Sequence, residues 1–161
     1  GNIFHLNFYE HSEIQEIIRR SAKILGITLD QSAAQLIAQR ARKTPRIANR
    51  LLKRVRDFAE VKSDGIITHP LSQQALIQLG VDEFGLDEID RRIIEIIIDK
   101  FQGGPVGLNT IAAATGEEMA TIEDVYEPYL IQTGLINRTS QGRVATELAY
   151  KHLGKAFAKL I

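Results

Sequence analysis

The sequence of 161 residues has no cysteine. This absence excludes a disulfide scaffold, a thiolate metal site and a cysteine nucleophile, and it fits a cytoplasmic protein. No apolar run approaches the roughly 20 residues of a membrane helix, and the N-terminus lacks a basic region followed by an apolar segment. We therefore expect neither a membrane span nor a secretory signal. The chain begins at Gly1 without a methionine, which suggests a piece cut from a longer protein.

Metal ligands are also scarce. The four histidines show none of the spacings that are typical of a metal site, so no metal ion is expected. They are His5, His11, His69 and His152. Hydrophobic residues make up 44% of the chain and charged residues 25%. This composition is ordinary for a globular protein and excludes wholesale disorder, and the length fits one domain or two small ones.

The net charge is zero, but the charges are sorted into blocks. Residues 1–80 have 12 basic and 7 acidic side chains, whereas residues 81–161 have 8 basic and 13 acidic ones. Several of the latter basic residues lie near the C-terminus. A polyanion could therefore meet the first half or the extreme C-terminus, and the acidic middle would repel it.

The first half has helical periodicity throughout. Apolar residues and breakers predict four helices, of which the second is capped by Asp30 and the third by Thr44. They run from Glu10 to Leu25, from Asp30 to about Arg42, from Pro45 to about Val61 and from His69 to Leu79. A linker is predicted over residues 80–85.

The second half has a different pattern. An amphipathic helix from Leu86 ends at Gly103-Gly104-Pro105, a short helix follows from Leu108 to Ala114, and a third runs from Glu117 to Gln132 with a break near Pro128. Two extended pieces, 135–138 and 143–145, then predict a β-hairpin with Gly142 at its tip. A closing helix is expected from Thr146 to about Leu160. The order of helix, helix, helix and hairpin is that of a winged helix-turn-helix.

The start of the third helix contains an arginine where helix electrostatics disfavour one. Thr44 is the predicted N-cap and Pro45 the first helical residue, so Arg46 falls in the first turn, beside amide groups that already carry partial positive charge. A phosphate bound there would be contacted by both the amides and the guanidinium. The alternative is an ordinary amphipathic helix with a basic solvent face.

No other part of a nucleotide site is present. The glycine-rich stretch Gly103-Gly104-Pro105-Val106-Gly107 lacks the lysine and the hydroxyl residue of a phosphate-binding loop, and we interpret it as a helix-ending turn. Asp99, at the end of an apolar run, is interpreted as a solvated helix residue. The sequence therefore predicts no nucleotide hydrolysis by this chain alone.

The predicted recognition helix is unusual for a DNA reader because it is acidic. Its carboxylates would repel the phosphates that border the major groove. They are Glu117, Glu118, Glu123, Asp124 and Glu127. The positive groups are Arg138 and Arg143 in the wing, so any DNA contact should be made by the wing and carry little sequence information. A winged helix that binds protein remains an alternative.

Long motifs in this chain closely resemble the RuvB family, the hexameric motor of Holliday junction branch migration in bacteria. They include residues 44–59, Gly80-Val81-Asp82, Gly85-Leu86-Asp87, the stretch 103–108, the stretch 123–132, and Arg138-Thr139 with Gly142-Arg143. The resemblance covers nearly the whole chain. It implies a mostly α protein: a helical AAA+ lid domain at residues 6–79, then a winged-helix domain at 86–161.

The resemblance implies roles for individual residues. Arg46 would be the sensor arginine that reaches the phosphates of ATP, and Pro45 would also lie against the nucleotide, whose Mg²⁺ belongs to an ATPase domain absent from this sequence. Arg138 and Arg143 would contact DNA. The family commonly has Arg-Thr-Pro-Arg-Gly-Arg in the wing, whereas this chain has Ser140 and Gln141 at the third and fourth positions. One lost charge would lower the salt dependence of binding by about one counterion.

The resemblance implies four kinds of partner: four-way junction or duplex DNA, five further copies in a hexamer, RuvA and RuvC. It also implies a location in the bacterial cytoplasm and a role in the SOS response. No ATP would be bound stably by this chain alone. Two alternatives need no ATPase partner: a winged-helix transcription regulator with a helical dimerisation domain, and an adaptor whose winged helix binds protein.

Overall fold

The computed structural model describes residues 8–157, and the chain divides into two compact units after Asp87. The predicted domain start at Leu6, His5, and the predicted helix end at Leu160 lie outside the described residues. The segment predicted as a linker, residues 80–85, lies within the first unit.

The first unit contains four helices, as the sequence predicts. They are α1 (His11–Ile24), α2 (Gln31–Arg40), α3 (Pro45–Lys62) and α4 (His69–Gln78). Their apolar faces form one core, in which the largest fully buried side chains are Ile14, Ile18, Ile37, Leu52, Ile67 and Leu76. The predicted caps are confirmed: the Asp30 carboxylate accepts a hydrogen bond from the amide of Ala33 at 2.7 Å, and the Thr44 hydroxyl accepts one from Ile47 at 3.4 Å.

The prediction that the first half is helical throughout is wrong at two places. Strands β1 (Thr28–Leu29) and β2 (Ile66–Ile67) pair in parallel, with Thr28 opposite Ile66. They join the α1–α2 loop to the α3–α4 loop, and the amide of Asp30 donates to the carbonyl of Ile67 at 3.1 Å. A strand of two residues has no periodicity to detect, so the pattern of apolar residues could not reveal it.

The second unit has the predicted order of elements. Helices α5 (Glu88–Phe101) and α6 (Leu108–Thr115) are followed by α7 (Met119–Thr121), which continues through a π-helical turn (Ile122–Tyr126) into α8 (Glu127–Gln132). Strands β3 (Ile136–Thr139) and β4 (Gly142–Ala145) form an antiparallel hairpin with Arg138 opposite Arg143. Helix α9 (Glu147–His152) follows the hairpin. These elements form a winged helix-turn-helix.

Pro128 acts differently from the prediction of a break near the helix end. The irregularity is the π-helical turn that precedes it, where the amide of Glu127 donates to the carbonyl of Ile122, five residues back. Proline has no amide hydrogen and its ring crowds the carbonyl four residues before it, so a wider turn accommodates it without ending the helix. Helix α8 therefore continues to Gln132.

Gly142 is the first residue of β4, so its predicted place at the hairpin tip is wrong, and Ser140 and Gln141 form the tip instead. Val106 pairs with Arg143 as a third, one-residue strand, through hydrogen bonds of 2.7 and 3.0 Å. A Cβ on Gly142 would lie 2.6 Å from the carbonyl carbon of Val106. Glycine is required here by this close approach of two backbones.

The closing helix is shorter than predicted. Thr146 is its N-cap, and α9 ends at His152. Gly154 has a φ of 67°, and the amides of Gly154 and Lys155 donate to the carbonyls of Lys151 and Tyr150. This pair of bonds is the Schellman arrangement that ends a helix, and the apolar pattern beyond it misled the prediction.

Candidate functional site

The N-terminus of α3 has the geometry that the sequence predicts. Thr44 is the N-cap, Pro45 opens the helix, and the first turn has no acidic side chain. Arg46 is exposed, and in the described part of the chain it has no hydrogen bond or ion pair. Since Pro45 has no N–H and the amide of Ile47 donates to Thr44, the amide of Arg46 is the free one in the first turn, and no acidic side chain of that turn neutralises its guanidinium.

This arrangement can bind an anion. A phosphate oxygen at the end of α3 would accept a hydrogen bond from the backbone amide of Arg46, while the Arg46 guanidinium adds a charge-assisted contact. The assignment of Pro45 and Arg46 to a nucleotide site stays a prediction. The residues present fit such a group, because an exposed arginine beside an open helix N-terminus is stabilised by an anion that both contact.

In the second unit, the two arginines of the wing converge on one carboxylate. Glu127 is 1% exposed, and its Oε1 accepts a hydrogen bond from Arg138 Nε at 2.8 Å and a further one from Arg138 Nη2. Arg143 donates from Nε to Oε2 at 2.9 Å and from Nη2 to Oε1 at 3.1 Å. We call these three residues the wing triad. Its net charge is one positive unit.

The wing triad changes the interpretation of the acidic helix. The expectation that Glu127 repels phosphate is wrong, because its side chain is buried and paired with two arginines. Glu118, Glu123 and Asp124 are exposed, as expected. The helix face therefore remains acidic toward solvent, while Glu127 belongs to the wing.

The two arginines of the wing triad differ in accessibility. The side chain of Arg138 is 49% exposed, whereas that of Arg143 is 14% exposed. Buried charges are retained when they are paired and hydrogen-bonded, which describes Arg143 and Glu127. Arg138 is therefore the member of the triad that presents more of its guanidinium to a ligand. The DNA contacts of both residues stay a prediction.

The role of Glu127 was missed by the sequence analysis. Its signal is weak: Leu130, three residues later on the same helix face, is fully buried, so a charge at position 127 needs a partner. That partner comes from the hairpin, 11 and 16 residues further along the chain.

The part of the chain from residue 8 to residue 157 contains no group of three or more histidine or acidic side chains that could hold a metal ion. None of its helices is both long enough and apolar enough to cross a membrane.

Known proteins resemble both units. Residues 9–82 match the RuvB AAA lid domain and residues 83–154 match the RuvB C-terminal winged helix domain. The Holliday junction branch migration complex subunit RuvB of Dehalococcoides mccartyi is 57% identical over 153 residues, which are 95% of this chain and 44% of that protein.

Solved structures give the same result. The Thermotoga maritima RuvB Holliday junction branch migration motor superposes with a TM-score of 0.90 at 47% identity, covering 95% of this chain and 51% of that one. A mutant of the same protein gives a TM-score of 0.91 at 46% identity, covering 98% and 53%. The chain thus spans about half the length of these relatives.

Proposed function

Since this chain belongs to the RuvB family, we propose that it is the lid and winged-helix part of an ATP-driven motor that moves Holliday junctions in recombination and DNA repair. The single observation that carries the proposal for the lid is Arg46, exposed at the N-terminus of α3 with no carboxylate nearby in the first turn. ATP and Mg²⁺ would be bound mainly by an ATPase domain outside this sequence.

In that motor, Arg46 completes a nucleotide site that is built elsewhere. Its guanidinium contacts the ATP phosphates and stabilises the negative charge that develops on the transferred phosphoryl group. Pro45 packs against the nucleotide beside it. The cap by Thr44 supports this role, because it fixes the backbone from which Arg46 projects.

The winged helix contacts DNA through the wing. Arg138 binds backbone phosphate, and Arg143, held by Glu127, keeps the hairpin and the helix together and adds positive charge at the wing. The exposed acids on the helix disfavour insertion into the major groove. Contacts to phosphates alone do not select a base sequence, which suits a motor that must move along any DNA.

The assembly that we propose is a homo-hexamer on a four-way junction or duplex, with RuvA as the junction-recognition partner and RuvC as the resolvase. It acts in the bacterial cytoplasm as part of the SOS response. The acidic helix face counts against the alternative of a sequence-specific transcription regulator. A measurement of DNA affinity distinguishes the motor from the other alternative, because an adaptor whose winged helix binds only protein has no affinity for DNA.

The test joins this chain to the ATPase domain of a relative and measures ATP-dependent branch migration of a synthetic four-way junction with RuvA. We expect migration that requires ATP and is lost when the winged helix is removed. A protein that folds and assembles but leaves the junction in place with RuvA and ATP would contradict the proposal.

A further inference from the structure

The first unit contains a cavity of about 170 Å³ whose lining includes four arginines. They come from three places: Arg40 at the end of α2, Arg42 in the turn that follows, and Arg50 and Arg54 on α3. The loop after α4 closes the remaining side. We call this cavity the arginine pocket. Arg46 is not among its lining residues.

The charge of the arginine pocket is not balanced within the described part of the chain. Asp87 is the one acidic residue in its lining. Arg40, Arg50 and Arg54 take part in no ion pair among residues 8–157. Arg50 and Arg54 also stand one helical turn apart, a spacing at which like charges repel. An anion in the pocket would relieve this repulsion.

The backbone conformation of the turn after α2 positions Arg42. Arg42 is 7% exposed and has a φ of 57°, and Lys43 follows with a φ of 56°, so two successive residues adopt a positive φ. Residues other than glycine rarely do so, and such strain is concentrated at functional sites. The turn therefore keeps Arg42 against the loop at a conformational cost.

Gly85 lets the loop approach the same turn. A Cβ at this position would lie 2.7 Å from the carbonyl oxygen of Arg40 and 3.3 Å from Cγ of Arg42. The close contact is possible because glycine has no side chain. The positive φ of Arg42 and the absence of a side chain at Gly85 thus shape one side of the arginine pocket.

The lining residues of the arginine pocket indicate the chemical class of its ligand. Ile47 and Leu51 give the pocket an apolar side, where the interaction between opposite charges is less screened by water. A guanidinium matches two oxygens of a phosphate at once. We propose that the arginine pocket binds a phosphate group, at a site separate from the N-terminus of α3. The phosphate belongs either to a free polyphosphate or to a nucleic acid backbone.

The experiment titrates the chain with pyrophosphate at constant ionic strength and follows the arginine Nε–Hε signals by NMR. We expect saturable shifts for Arg40, Arg50 and Arg54. The double variant Arg50→Gln with Arg54→Gln should weaken binding about tenfold, since two charge-assisted contacts are lost. The matched control, Arg19→Gln with Lys53→Gln, removes the same charge from exposed positions outside the pocket and should change the affinity less than twofold.

Two outcomes would overturn the proposal. One is the absence of saturable shifts, or an affinity that falls equally in the double variant and in the control. The other is binding that is lost in Arg46→Gln and retained in the double variant, which would assign the phosphate to the N-terminus of α3. Arg50 and Arg54 are exposed, so their substitution leaves the core of the unit intact.

A second titration with a short DNA duplex identifies the source of the phosphate. If the double variant loses affinity for both pyrophosphate and duplex relative to the control, the pocket binds nucleic acid backbone. If it loses affinity for pyrophosphate alone, the ligand is a free polyphosphate. Either result supports a phosphate site in the arginine pocket.

Discussion

The Glu127 carboxylate, at 1% exposure, accepts a hydrogen bond from Arg143 Nε at 2.9 Å, across 16 residues of sequence. This pair joins helix α8 to strand β4 of the wing. The half-exposed Arg138 binds the same carboxylate. The wing is therefore attached to the domain by charge as well as by its backbone pairing with Val106.

Replacing Glu127 with glutamine should destabilise the second unit by about 2 kcal/mol. The change leaves Arg143 largely buried without its counter-charge, although the exposure of Arg138 keeps the loss below that for a fully buried pair. Urea unfolding followed by tyrosine fluorescence measures this, because three of the four tyrosines, Tyr126, Tyr129 and Tyr150, lie in the second unit.

The control for this variant is Glu123→Gln, which removes an exposed acid one turn earlier on the same helix. It should alter the stability by less than about 0.5 kcal/mol. If the two substitutions lower the stability equally, the wing triad stabilises the second unit no more than an exposed carboxylate does.

Replacing Gly142 with alanine should cost at least about 2 kcal/mol, since the new Cβ would lie 2.6 Å from the Val106 backbone. The matched control is Gly116→Ala. Gly116 also has a positive φ, of 76°, but its Cβ would meet nothing within 4 Å, so only the backbone strain of about 1 kcal/mol applies. Thermal unfolding of both variants separates the backbone strain from the steric contact with Val106. If the Gly142→Ala variant is as stable as the Gly116→Ala variant, the close-packing argument is refuted.

Binding of this chain to DNA should be weak, sensitive to salt and indifferent to base sequence. The variant Arg138→Gln should lower the slope of log affinity against log salt concentration by about 0.9, the value for one lost phosphate contact on duplex DNA. Arg143→Ala should also reduce affinity, partly because its loss leaves the buried Glu127 with a single partner. Fluorescence anisotropy with duplexes of different sequence, at several salt concentrations, measures each of these effects.

The control for the DNA measurement is Arg92→Gln, an exposed arginine on α5 outside the wing. It should leave the slope within experimental error of the parent chain. Binding that persists at high salt, or that prefers one duplex sequence, would favour a transcription regulator.

The helices, their N-caps and the order of helices and strands in the second unit could all be predicted from local patterns. The Thr44 cap and the exposure of Arg46 follow from residues within one turn of each other, so the sequence contains the whole argument. The same holds for the Asp30 cap. Such features depend on short-range geometry, which the spacing of residue types records directly.

The wing triad and the arginine pocket could not be predicted, because distant parts of the chain form them. Glu127 and Arg143 meet only when the hairpin folds back on the helix, and Arg40 and Gly85 approach each other across 45 positions. The strands β1 and β2 were missed for a related reason, since their pairing depends on a partner 38 residues away. The end of α9 was missed because a glycine in the left-handed conformation outweighs the apolar pattern beyond it.

The most direct test of the central claim is the rate of ATP hydrolysis by Arg46→Ala when this chain is joined to the ATPase domain. We expect turnover to fall tenfold or more, as the loss of about 1.4 kcal/mol of charge-assisted contact requires. Lys53→Ala, which removes another exposed cation of α3, should retain the parental rate. Turnover by Arg46→Ala within twofold of the parent would contradict the account of Arg46 as the residue that completes the nucleotide site.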